Sequence, residues 1–188
     1  MEKSAVIIGG GLGGLFTGAI LSKEGVKVTV IEKNPTVGGG LQSFRRFGET
    51  FDTGMHVIGG MQEGGNIRRI CEYLGIFDKV HVMDVDPDVI DTLYFAEDRK
   101  TYKIAQGKEG FVNALSESFP DQKDNLRAYV DAVYAIVDEL DMFYLRPSQD
   151  FIFVHSEDFM MSADGFIAKY ISDRKLCSVL AYMNPLYG

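Results

Sequence analysis

Ala5-Val6-Ile7-Ile8-Gly9-Gly10-Gly11-Leu12-Gly13-Gly14-Leu15 decides the fold of this chain. A short β-branched apolar run enters glycines spaced G-x-G-x-x-G at Gly9, Gly11 and Gly14, and an amphipathic segment from Leu15 to Gly25 follows at once. A continuous apolar run of this kind is what a strand buried in a parallel sheet requires. Strand, glycine turn and helix in that order predict a dinucleotide-binding βα turn. Gly9 permits the tight turn, Gly11 lets backbone approach a pyrophosphate, and Gly14 allows close packing of helix on strand. The helix N-terminus offers free N–H groups and a partial positive charge to the same anion.

Val26-Lys27-Val28-Thr29-Val30-Ile31 reads as the second strand, ending in Glu32. That carboxylate lies 23 residues beyond Gly9, near the ~20-residue offset of an acid that binds ribose hydroxyls. The competing reading is a solvated residue at a strand end. Asn34 to Gly40 then supplies three consecutive glycines, Gly38, Gly39 and Gly40. At the carboxyl edge of a doubly wound sheet they would lie beside the first glycine turn, where absent Cβ atoms let N–H groups approach a ligand. A flexible surface turn is the plainer alternative.

The run from Val6 to Ser43 resembles the FAD-binding N-terminus of flavoproteins related to amine oxidases and phytoene desaturases. Glu32 followed after five residues by Gly38-Gly39 fits that pattern, while Gly40 stands where the family often has arginine. Phe51-Asp52-Thr53-Gly54-Met55-His56 is similar to the family's F-D-x-G-x-H segment, closest to its form in retinol saturase and carotenoid isomerase relatives. The resemblance implies an α/β fold: a Rossmann-like βαβ unit of glutathione-reductase type over 1–78, then the start of an α+β substrate or cap region over 79–188. It implies FAD held by Gly9, Gly11, Leu12, Gly13, Gly14, Glu32, Lys33, Gly38, Gly39 and Gly40. It also implies hydride exchange with an apolar, polyene-like or amine-bearing substrate, of desaturase, saturase or isomerase type. His56 becomes the candidate catalytic residue, against a structural histidine as the alternative; Asp52 is expected to anchor backbone.

The chain has 188 residues, 46% of them hydrophobic, with 13 Phe and 9 Tyr, enough for a real core. A net charge of −8 argues against nucleic acid as a partner, because no basic surface is available for phosphates. Cys71 and Cys177 form no metal or disulfide pattern and fit reduced thiols in the cytoplasm. No metal ligands are expected. Ser4 to Ser22 is uncharged and about long enough to span a bilayer, but six of the positions from Gly9 to Gly18 are glycine, which argues against a membrane helix.

Further expectations are a hairpin over 44–51, a helix over 66–74, strands over 79–83, 89–95 and 100–104, and helices over 110–119 and 121–144. An extended run over 151–154 and helices over 163–171 and 173–183 complete them. Arg68 and Arg69 read as solvated charges and His81 as structural. Family members are far longer, so the chain is expected to be an incomplete, N-terminal portion. Uncovered apolar surface would then favour homo-oligomers, and peripheral membrane contact stays open. The remaining alternatives are an NAD-binding dehydrogenase and a truncated, catalytically silent nucleotide-binding module.

Overall fold

The structure, a computed structural model, describes residues 3–55, 57–147 and 155–186. The chain forms two compact units, Met1–Val82 and Met83–Gly188.

In the first unit, β1 (Ser4–Ile8) pairs in parallel with β2 (Lys27–Ile31), from Ser4 opposite Lys27 to Ile8 opposite Ile31. Helix α1 (Leu12–Lys23) makes the crossover. Parallel neighbours need such a connection, and a helix covers one face of the strands as it returns. Gly18 is buried there: a Cβ on it would sit 3.2 Å from Ile7 and 3.4 Å from Val30. Gly25, at φ +82°, takes the left-handed position that ends the helix. The helix begins three residues before the expected amphipathic stretch, so Leu12, Gly13 and Gly14 belong to its first turn. The antiparallel hairpin β3 (Ser43–Arg46) with β4 (Glu49–Asp52) follows, its Phe44 and Phe51 rings stacked 5.4 Å apart across the pair. Helix α2 (Asn66–Leu74) ends at the left-handed Gly75, as its sequence predicts.

The strand expected over 79–83 is absent. A 3₁₀ turn covers Phe77–Lys79, and the chain then runs irregularly with Val80 and Val82 exposed. Alternating valines there mimic strand periodicity, but a strand needs a hydrogen-bonded neighbour, and none lies alongside among the described residues. His81 is exposed in this run rather than part of a strand.

In the second unit, β5 (Asp91–Phe95) and β6 (Lys100–Ile104) form an antiparallel hairpin. Helices α3 (Gly107–Ser116) and α4 (Lys123–Asp138) pack beside it, joined by ion pairs Lys108–Asp131 and Arg127–Glu109. The helix expected to run to Tyr144 stops at Asp138. Glu139 and Leu140 donate to the carbonyls three residues back, a tightened last turn, and the Glu139 carboxylate accepts from the Ser156 N–H at 2.9 Å. Short α5 (Asp141–Tyr144) follows.

Beyond it come α6 (Glu157–Met160), unforeseen from sequence, α7 (Ala163–Tyr170) and α8 (Arg174–Leu180). Ser156, Ser162 and Asp173 cap these helices through their side chains. A 3₁₀ stretch, Ala181–Leu186, replaces the end of the expected last helix. Ile104, Leu115, Leu126, Ile171 and Leu176 are fully buried and centre the core. The extended run expected over 151–154 lies outside the described residues.

Candidate dinucleotide site

The site is built where the two glycine loops of the first unit meet. Gly9 stands at φ +106°, a conformation that admits few residues other than glycine, and its N–H donates to the Ile31 carbonyl at 2.8 Å. Gly14 lies so near β1 that a Cβ on it would drive into the Gly9 carbonyl oxygen. Gly11 and Gly13 differ: a Cβ on either meets nothing within 4 Å. Gly11 is also extended, at φ −75° and ψ 179°, so the fold alone gives no steric reason for glycine there. Leu15 N–H donates to the Gly11 carbonyl at 2.9 Å as α1 begins. The first-turn amides of Leu12, Gly13 and Gly14 therefore lie ahead of the helix's own bonding.

The second loop docks onto the first. Gly38 N–H donates to the Gly10 carbonyl at 2.7 Å, and Gly38 bridges Gly11 in parallel fashion. Gly38 and Gly39 have φ of +122° and +58°, and a Cβ on Gly39 would lie 3.1 Å from the Gly11 Cα. Gly40 in turn receives the segment after the hairpin: Met55 N–H donates to its carbonyl at 3.2 Å, and the Thr53 hydroxyl donates to the Gln42 carbonyl at 2.8 Å. Thr53, next to Asp52, and Met55 supply these hydrogen bonds to the glycine loop. His56 lies outside the described residues. The structure thus brings Gly9, Gly11, Leu12, Gly13, Gly14, Glu32, Gly38, Gly39 and Gly40 to one end of the parallel pair, with Lys33 exposed beside Glu32.

Glu32 is held by backbone. One carboxylate oxygen accepts from Asn34 N–H at 2.8 Å and the other from Gly10 N–H at 2.7 Å. These amides, Asn34 first, hold the carboxyl below its ordinary range. Each oxygen keeps a further lone pair for an external donor. Two contributors escaped the sequence reading. Gly10 is buried, and a Cβ there would stand 2.9 Å from a Val37 methyl and 3.1 Å from Glu32. The unbroken run Gly9-Gly10-Gly11 was its only signal, and Val37 had none. Arg68 is engaged on α2 with Glu72, at 2.7 Å, and lies over the Phe77 ring. Among the described residues no three His, Cys, Asp or Glu side chains gather to hold a metal ion, and no helix is long and apolar enough to cross a membrane.

Residues 7–74 match the family of NAD(P)-binding Rossmann-like domains. The human all-trans-retinol 13,14-reductase is 35% identical over 137 residues, covering 72% of this chain and 22% of that protein. The chloroplastic prolycopene isomerase of Arabidopsis thaliana is 25% identical over 189 residues, covering 94% of this chain and 31% of the isomerase. These relatives belong to the phytoene desaturase and retinol saturase superfamily, and this chain is similar to them in sequence. It spans between about a fifth and a third of the length of these superfamily relatives. The fold agrees: the crystal structure of the PF1083 protein from Pyrococcus furiosus superposes over 92% of this chain and 34% of its own, with a TM-score of 0.54 at 20% identity.

Proposed function

We propose that this chain is the FAD-binding portion of an oxidoreductase that acts on an apolar, polyene-type substrate. The docking of Gly38 on Gly10 and Gly11 carries the reading, because it joins both glycine loops through their backbones. A simple dinucleotide turn needs only the first loop. The open positions at Gly11 and Gly13 fit a ligand that approaches the backbone closely. In this reading the first-turn amides of α1 orient the pyrophosphate, and Glu32 receives the adenosine ribose hydroxyls. Gly38, Gly39 and Gly40 line the nucleotide beyond, with Lys33 at its edge. Residues 1–78 form the cofactor portion, and 79–188 begin the substrate or cap region.

Bound FAD supplies the hydride chemistry, and the protein's part is to bind and orient it. The substrate class comes from the relatives, a retinol reductase and a prolycopene isomerase. His56, in the segment after the hairpin, is the candidate group for moving a proton near that chemistry. Two free thiols, Cys71 and Cys177, support a cytoplasmic setting.

Calorimetry of this chain with FAD, ADP and NAD tests the reading, followed by the absorbance of bound flavin and its release on denaturation. FAD binding that ADP competes away is the expected result. Binding of NAD in preference to FAD, or of neither, overturns it.

A further inference from the structure

The second unit contains a cavity of about 310 Å³ that the dinucleotide site does not use. Ile104 at the end of β6, Phe111 of α3, Val133 of α4 and Leu180 of α8 supply its apolar wall, which Tyr129 and Tyr182 also line. Its size sits at the lower end of small-molecule sites, roughly 300–1,000 Å³, which suits a medium-length chain better than an entire long polyene.

One side chain lining the cavity carries a charge. Lys108 also lies 4.4 Å from the centroid of the Tyr134 ring, and its ammonium meets Asp131 at 2.9 Å. That bond uses one of three ammonium donors. Gly107 and Lys108 open α3 and both line the cavity, so the helix's positive end borders it. Glu109, the acid in that first turn, is taken up by Arg127.

We propose that this cavity is a binding site for a medium-chain amphiphilic carboxylate, its alkyl chain within the apolar wall and its head on Lys108. Apolar walls with Lys108 as the single charged lining residue fit a ligand with one anionic end. The site is complete within the second unit and does not rest on the flavin reading.

Decanoate is the probe, with decan-1-ol as its neutral counterpart, each titrated below its aggregation limit by calorimetry. Saturable one-to-one binding of decanoate is expected, with decan-1-ol about tenfold weaker. Lys108→Met keeps most of the apolar stem and removes that difference; Val133→Phe fills the cavity and abolishes binding of both. Magnetisation transfer from decanoate chain protons to Val133 methyls in the unaltered protein decides the matter even where Val133→Phe fails to fold. Absence of that transfer, equal affinity for acid and alcohol, or unchanged binding by Lys108→Met overturns the proposal.

Discussion

The backbone N–H of Gly10 and the carboxylate of Glu32, 22 residues apart, are joined by a 2.7 Å hydrogen bond that ties the first glycine turn to the end of the second strand. The acid is therefore positioned before any ligand arrives. Holding a polar group in its working geometry reduces what must be ordered on binding. Glu32→Ala weakens ADP binding by roughly tenfold to a hundredfold, the range expected when a charge-assisted hydrogen bond is lost. Unchanged affinity by calorimetry would remove Glu32 from the ribose site.

The same bond gives a pH dependence. Amides of Asn34 and Gly10 lower the Glu32 carboxyl below its ordinary value of 4.5, so the folded protein releases that proton more readily than the unfolded chain. The stabilisation is full above pH 4.5 and fades as the pH falls through the lower folded value. Denaturant midpoints of the natural chain and Glu32→Gln, followed from neutral pH into acid, are expected to converge. A gap that widens in acid contradicts the assignment.

Glycines of the turn separate into two kinds. Gly14→Ala pushes a Cβ into the Gly9 carbonyl and destabilises the first unit by about 3 kcal/mol. Gly11→Ala meets open space and changes stability by less than about 0.5 kcal/mol, yet weakens nucleotide binding by about tenfold if a pyrophosphate lies against it. Thermal melts and ADP titrations on both variants distinguish packing from ligand approach.

Gly10→Ala places its Cβ 2.9 Å from a Val37 methyl, costing about 1–3 kcal/mol through overpacking. Adding Val37→Ala makes room, and the double variant recovers most of the loss. A double-mutant cycle measures this coupling directly. Purely additive effects would place Val37 outside the clamp.

Legibility followed the range of the interactions. The βαβ order, Glu32 and the ends of α2 were readable because alternation, helix stops and the acid's offset are encoded within a few residues of each other. Gly38 to Gly40 were readable as a second glycine loop, but their hydrogen bonding to Gly10 was not, since it spans 28 residues. The valines at 80 and 82 misled because alternation reports a strand without naming its partner. The end of α4 was equally hidden: Glu139 is captured by Ser156, 17 residues on, and neither glycine nor proline marks the break. The segment expected as one helix over 121–144 carries an apolar stripe at helical spacing; its Leu126 and Val130 are buried, but Phe143, in α5, is exposed.

The buried half of that stripe is what the second unit depends on. Leu126 is fully buried among Val112, Leu115 and Leu176. Leu126→Ala costs about 2–5 kcal/mol, lowering the melting temperature on the order of 10–20 °C. Met142→Ala, at a position 79% exposed, leaves the melt in place. Equal effects would show that the core is not where the packing puts it.

The face of β1 and β2 turned away from α1 carries the last prediction. Ile7 and Val30 point toward Gly18 of α1, and strand alternation therefore sends Val6, Ile8 and Ile31 to the other side. Val6 is 64% exposed and Ile8 89%. Parallel strands are ordinarily covered on both faces, so an apolar face left in water favours association. Net charge of −8 opposes it through repulsion that salt screens. This chain is therefore expected to self-associate, more strongly with added sulfate, which promotes apolar burial. The double variant Val6→Thr, Ile8→Thr keeps β-branching in the strand while removing apolar surface. It should scatter less light at equal concentration, with unchanged helical content by circular dichroism. Scattering that stays the same would mean that another surface drives the association, and monomeric behaviour of the natural chain at high sulfate would mean that the face is stable in water as it stands.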